Sequence, residues 1–237
     1  LNDLVAEILD VNYNNYVNLL GTAHFTRRSL MEAYEAVRRL KPTDLAIELD
    51  VERFQFLNQR CASCPDRETC SGRCEFVGAT DALGNVNANI WLIDMSESEI
   101  AERVRRLLPP SRLWQYSLAR FPFWHQVDNE VELWEEGYKD EVLERNARRM
   151  EALRMRAPHV WRVLIDERNA LMASRLAWIV TQKLGRNEEA RVLALTGAAH
   201  VDGISALLSS PGQISGELRN FGLKFSTPRL IRRVSVN

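Results

Sequence analysis

Apolar residues follow two rhythms along this chain. Short, dense runs stand near both ends: Tyr16-Val17-Asn18-Leu19-Leu20, Leu45-Ala46-Ile47-Glu48-Leu49, Phe76-Val77-Gly78-Ala79, Ile90-Trp91-Leu92-Ile93-Asp94 and Val192-Leu193-Ala194-Leu195-Thr196. Runs of this length between turn residues predict buried strands, and Leu223-Lys224-Phe225 and Ile231-Arg232-Arg233-Val234 read as closing strands. Leu30, Tyr34, Val37 and Leu40 recur instead at helical spacing, with Ser29 and Glu32 as a capping box ahead of them and Lys41-Pro42-Thr43-Asp44 as the stop. From Ser96 to Leu184 the helical rhythm dominates, broken at Pro109-Pro110, Pro122 and Pro158, and Gly203 to Leu208 opens a further helix.

A strand–helix–strand crossover is right-handed and parallel. The expected fold is therefore α/β: a mostly parallel central sheet formed by the N- and C-terminal parts, with a long helical insertion in the middle. One domain is expected over 1–237, with a helical subregion at 96–185. Within it, residues 128–156 are heavily charged, acidic first and basic later, as in a solvated helix with many i,i+4 pairs.

The chain has 237 residues, 46% of them hydrophobic, enough for one well-buried core. Its net charge of -1 and pI ≈ 6.5 argue against a nucleic-acid partner, which calls for a basic excess. No membrane-spanning run and no signal peptide is visible, so a soluble, cytoplasmic protein is expected, although the chain opens on Leu1 and leaves room for residues upstream. The charged middle and six tryptophans allow a homodimer.

Candidate chemistry gathers at two matching turns, Leu20-Gly21-Thr22-Ala23-His24 and Thr196-Gly197-Ala198-Ala199-His200. Each follows an apolar strand, and ligands of open α/β sheets collect beyond the carboxyl ends of strands. Neutral imidazole is both a metal ligand and a general base near neutral pH, so His24 and His200 are the candidate pair. His125 and His159 lack such a frame. Glu48 ends its apolar run at the same edge, where an ionised carboxylate needs a metal or a cation, Arg53 among them. Glu167 and Arg168 lie on apolar stripes of the helix from Val160 to Leu184 and read equally as a structural ion pair or as part of the site.

All four cysteines, Cys61, Cys64, Cys70 and Cys74, fall within one loop at 61–74. Four thiolates so close suit zinc or an iron–sulfur cluster such as [4Fe-4S], with two disulfides as the alternative. The spacing around Cys70-Ser71-Gly72-Arg73-Cys74 resembles the cluster-binding segment of SPASM domains. Such a centre is expected to be structural or regulatory.

Taken in order, the motifs resemble the TraB/PrgY family and, more distantly, the Tiki proteins. The matching residues are Gly21-Thr22-Ala23-His24, Pro42-Thr43-Asp44, Glu48-Leu49 with Arg53, Glu167-Arg168-Asn169 with Met172-Ala173, Gly197-Ala198-Ala199-His200-Val201-Asp202-Gly203-Ile204, and Pro228-Arg229-Leu230-Ile231-Arg232-Arg233. Asn169 stands where the family has aspartate, Asp81 near its Gly-x-Glu-Met glutamate, and Met95 where its Leu-Ile-Asp motif has arginine. The resemblance implies a metal-dependent hydrolase acting on peptides. His24, His200 and Glu48 would hold a divalent metal or position its water, and Arg53, Glu167 and Arg168 would complete the site. Two alternatives remain open: a sensing or partner-binding module built on the cysteine centre, and a metal-free hydrolase with a histidine base.

Overall fold

A strand buried on both faces reads as a near-continuous apolar run, and Val192–Gly197 (β4) is buried throughout. It sits inside a five-stranded sheet, bonded in parallel to Val17–Thr22 (β1) on one side and Asp44–Ile47 (β2) on the other. Asn89–Leu92 (β3) continues the sheet in parallel beyond β2, and Arg229–Ile231 (β5) closes it antiparallel to β3. The strand order is β1-β4-β2-β3-β5. The computed structural model describes residues 11–23, 26–62, 75–84, 88–108, 110–112 and 127–231.

The N- and C-terminal parts thus share one mostly parallel sheet, and the stretch between β3 and β4 is helical where described. The helices are α1 (Arg27–Leu40), α2 (Val51–Ala62), α3 (Glu75–Ala82), α4 (Glu97–Leu107), α5 (Val127–Glu136), α6 (Lys139–Arg156) and α7 (Pro158–Trp161). A π-helical turn, Arg162–Glu167, leads into α8 (Arg168–Leu184), and α9 (Ala198–Ser209) and α10 (Pro211–Asn220) follow β4. Alternate residues of each strand face opposite layers. Val17, Ala46, Val192 and Ala194 join the core built with α4, α8, α9 and α10. Leu45, Ile47, Ile90, Leu92, Leu193 and Leu195 join the core built with α1 and α3.

Four local expectations are corrected. Phe76-Val77-Gly78-Ala79 is helical, in α3, where Phe76, Ala79 and Leu83 bury one face at spacings of three and four. Gly78 is small because a Cβ there would come within 2.1 Å of Leu30 Cδ1. The segment after Asp50 forms α2 up to Ala62, so the cysteine loop begins inside a helix. Among the described residues Leu223-Lys224-Phe225 has no strand partner; the antiparallel edge strand is β5, whose expected continuation to Val234 lies outside the described residues. Finally, α1 is capped by Thr26, whose Oγ1 accepts from Ser29 N at 3.1 Å. Ser29 lies one turn further in.

Polar anchors fix the amino end of the sheet. The buried Asp44 carboxylate accepts from Asn89 Nδ2 (2.9 Å), Trp91 Nε1 (2.8 Å) and Thr43 Oγ1 (2.8 Å) and faces Lys183 Nζ at 3.5 Å. The Pro-Thr-Asp motif therefore ties β2 to β3 and to the end of α8. In the charged middle, Glu141–Arg145 and Glu144–Arg148 are exposed i,i+4 pairs along α6, as its composition predicts. No helix among the described residues is long and apolar enough to cross a membrane.

Candidate functional site

The carboxyl ends of β2, β3 and β4 deliver Glu48, Asp94 and Gly197 to one edge, and α8 brings Arg168 across to meet them. Glu48, Asp94 and His200 are each 4% exposed, and Arg168 is nearly as enclosed, so every charge here must find a partner inside the protein. Arg168 Nη2 donates to Glu48 Oε1, and its fork grips Asp94 through Nε–Oδ1 (2.9 Å) and Nη2–Oδ2 (2.7 Å). Nη1 donates to Leu164 O at 3.1 Å. Two neighbouring carboxylates are thus held by one guanidinium, a geometry that suits arginine and not lysine.

Arg53 is the second cation. Its Nε donates to Asp50 Oδ2 (2.5 Å), and its Nη2 to Asp94 Oδ2 (2.7 Å) and Met95 O (2.9 Å). Burial alone would raise the Asp94 carboxyl, but Arg168 and then Arg53 outweigh it and hold Asp94 well below the usual carboxylate range. Arg168 works against burial in the same way and is held above the usual arginine value by Asp94 and Glu48. Arg175 ties the β3 exit down from the backbone, donating to Ile93 O (3.0 Å) and Asp94 O (2.7 Å). Burial lowers its guanidinium from the ordinary value, against the pull of Asp94 and Glu99.

His200 stands in the first turn of α9 and completes the group. Its Nδ1–H donates to Asn169 Oδ1 at 2.6 Å, which turns Nε2 toward Glu48 Oε1, 3.5 Å away. The other Glu48 oxygen accepts from Gly197 N at 2.6 Å, at the amino end of α9, where a helix favours negative charge. The second Gly-x-x-His motif therefore supplies an amide for Glu48 and an imidazole beside it. Its following glycine has a part as well: a Cβ on Gly203 would lie 2.2 Å from Asn169 Nδ2, so the glycine makes room for the amide that orients His200. Gly203→Ala is expected to push Asn169 off His200. The imidazole resonances of His200, followed by NMR, should change while the thermal midpoint drops by only about 2–4 °C, the shift expected of roughly 1 kcal/mol.

The first motif reaches the same edge through strand register. Thr22 of β1 lies opposite Gly197 of β4, and Gly21 opposite Thr196. Gly21 permits the approach of α9, since a Cβ there would meet Val201 Cγ2 at 2.8 Å. The backbone beyond is pinned by α1: Ala23 O accepts from Thr26 Oγ1 (3.1 Å) and Ser29 Oγ (3.0 Å). His24 itself lies outside the described residues, as do Cys64, Cys70, Cys74 and His125, and the side chain of Cys61. Among the described residues, no group of three or more His, Cys, Asp and Glu is close enough to hold a metal ion.

Glu48, Arg53, Arg168 and His200 are thus brought together, with Asp50, Asp94 and Asn169 as members that the sequence did not single out. Asp94 was legible as the end of an apolar run and as the aspartate of the Leu-Ile-Asp motif, and Asn169 only as a departure from aspartate. Glu167 is placed elsewhere. Its fully buried carboxylate takes Arg103 Nε on Oε2 and Arg162 Nε on Oε1 (2.9 Å), while Arg103 Nη2 reaches Phe221 O at 2.6 Å. Adjacent residues of a helix stand about 100° apart and so can serve two clusters. The π turn, with its i→i+5 hydrogen bonds, brings i and i+5 to one side, and both Trp161 Nε1–Asp166 Oδ1 (3.0 Å) and Arg162–Glu167 pair at that spacing.

His200 Nε2 and Glu48 Oε1 stand 3.5 Å apart, and the same Glu48 oxygen also accepts from Arg168 Nη2. Compared with known proteins, the sequence matches no family model. It matches none of the curated proteins either. The chain is similar to a solved structure described as cofacial heme binding to ChaN of Campylobacter jejuni, at 12% identity over 85% of this chain and 80% of that one, with a TM-score of 0.36.

Proposed function

We propose that this protein is a hydrolase of peptide or related amide bonds, working with a divalent metal ion held by His200, Glu48 and His24. The observation that supports the reading is the His200–Glu48 pair at 3.5 Å, buried beyond the strand ends, with β1 and β4 in a register that carries both Gly-x-x-His turns to one edge. When bound, such an ion supplies a Lewis acid and an acidified water.

The residues of the chain do the rest. Asn169 fixes the His200 ring so that Nε2 faces Glu48 and the site. Arg168 and the Gly197 amide hold Glu48 ionised and in place. Arg53 and Asp94 buttress Arg168, whose guanidinium provides positive charge for an oxyanion developing at the edge. Glu167 acts through the π turn as a positioning residue, and the four cysteines form a separate zinc or [4Fe-4S] centre.

A second reading has an observation of its own. An Asn–His pair is also the arrangement of a metal-independent general base, and Glu48 already has a cation in Arg168. Elemental analysis of protein purified without oxygen separates the two. The wild type should carry about one divalent ion beyond what the cysteines hold, and His200→Ala with His24→Ala should lose that ion and no other. Equal metal in both proteins, together with chelator-resistant hydrolysis, would establish the metal-free base.

A further inference from the structure

The outer strands of the sheet differ. β5 is short, whereas β1 is six residues long, and among the described residues no strand pairs with its outer side. Val192 N–H donates to Tyr16 O at 2.9 Å, and the register runs from Val17 opposite Val192 to Thr22 opposite Gly197. The alternation of a parallel ladder then turns the N–H and C=O groups of Asn18, Leu20 and Thr22 inward to β4, and those of Val17, Leu19 and Gly21 outward. A groove of ≈ 440 Å³ follows this edge. Leu40 of α1, Val201 of α9 and Leu20 give it apolar walls, and Asn14 and Ser205 give it polar ones.

Arg39 also lines the groove, and no carboxylate does. Its guanidinium makes no ion pair among the described residues. Because α1 runs back antiparallel to β1 before β2 begins, Arg39 stands at the amino end of β1, opposite the end that leads into the Gly-Thr-Ala-His turn.

We infer that the groove docks an extended peptide as an added strand, antiparallel to β1, with its C-terminal carboxylate on Arg39. Antiparallel pairing is the stronger kind per residue, and it puts the peptide's carboxyl end at the Arg39 guanidinium. A second copy of β1 brings no acid to that position, since Val17–Thr22 contains none. The peptide's N-terminal part then runs toward the His200 edge. At about 3.3 Å per residue, the length of β1 sets the scissile bond roughly six residues from the carboxyl terminus. This step deepens the peptidase reading and rests on it only for cleavage, not for docking.

Fluorescence anisotropy tests it on the full chain, with a fluorescein-labelled decapeptide of alternating valine and serine and a free carboxyl terminus. Binding should weaken tenfold or more on amidating that terminus or on Arg39→Glu, with little further loss when the two are combined, and Arg39→Lys should retain most of it. N-methylation of alternate peptide amides should abolish binding in one phase and leave it within threefold in the other. Equal binding by the amidated peptide, tolerance of methylation in both phases, or a dimer of the chain that the peptide fails to displace would each overturn the proposal. A peptide that binds with this signature yet is not cut leaves the docking strand standing and removes the hydrolase. Cleavage indifferent to Arg39 and to the terminal carboxylate does the reverse.

Discussion

Replacing Arg168 by leucine is expected to lower the unfolding free energy by about 3–5 kcal/mol at neutral pH, the usual cost of removing one partner of a buried charge group. The side chain neutralises Glu48 and Asp94 together, and both carboxylates lie where water does not reach. Urea unfolding reads the loss directly, and its pH dependence identifies the cause. In the folded wild type Asp94 is held below its ordinary value. The stability this contributes is therefore present above the unfolded value of about 3.9, and is lost as pH falls through the lower folded one. The Arg168→Leu protein lacks most of that shift, so the two stabilities should converge as pH falls from about 5 toward 2. Curves that stay parallel over that range would place the cost of the substitution in lost packing instead.

His200→Ala should be nearly silent in the same unfolding experiment and severe in turnover. The ring is hydrogen-bonded to Asn169 and faces Glu48, so its removal opens a small void but strands no charge, because Glu48 keeps Arg168 and the Gly197 amide. A lost ligand or general base typically costs about 10²–10⁴-fold in rate. The expected result is at least a hundredfold fall in kcat with less than tenfold change in KM for a peptide substrate. Asn169→Ala should fall between wild type and His200→Ala, and the two changes together should cost no more than the second alone. Independent, multiplying effects would separate Asn169 from the histidine.

Much of this arrangement could be read from the chain. The apolar runs located four of the five strands, and the crossover rule made the long ones parallel before any coordinates. Glu48 stood out because a carboxylate inside Leu45–Leu49 demands a partner. Register, however, is a property of two strands at once, so no local pattern announced that β4 would slide between β1 and β2. Asn169 escaped for a related reason: its value depends on the space left by Gly203, thirty-four positions away and in another helix. Phe76–Ala79 was misread because four apolar or small residues fit either periodicity, and only the packing of α3 on α1 chooses. Glu167 and Arg168 looked like one feature because they are neighbours in sequence, although neighbours on a helix stand about 100° apart and meet different partners.

The wide turn at Arg162–Glu167 also makes chain length a functional quantity. An α-helix advances about 100° per residue, and the π turn absorbs one residue more than a regular helix would over the same rise. Deleting a single position there, such as Leu164, would let the backbone relax into an unbroken helix. The flanking residues would keep their phase, because i and i+4 align on an α-helix as i and i+5 do on the wide turn, and Trp161–Asp166 and Arg162–Glu167 could re-form as i,i+4 pairs. A residue added to the segment has no such outlet: it would rotate the following helix by about 100° and swing Arg168 away from Glu48 and Asp94. In descendants of this chain, substitutions or a one-residue loss through the segment should accumulate more readily than gains of length.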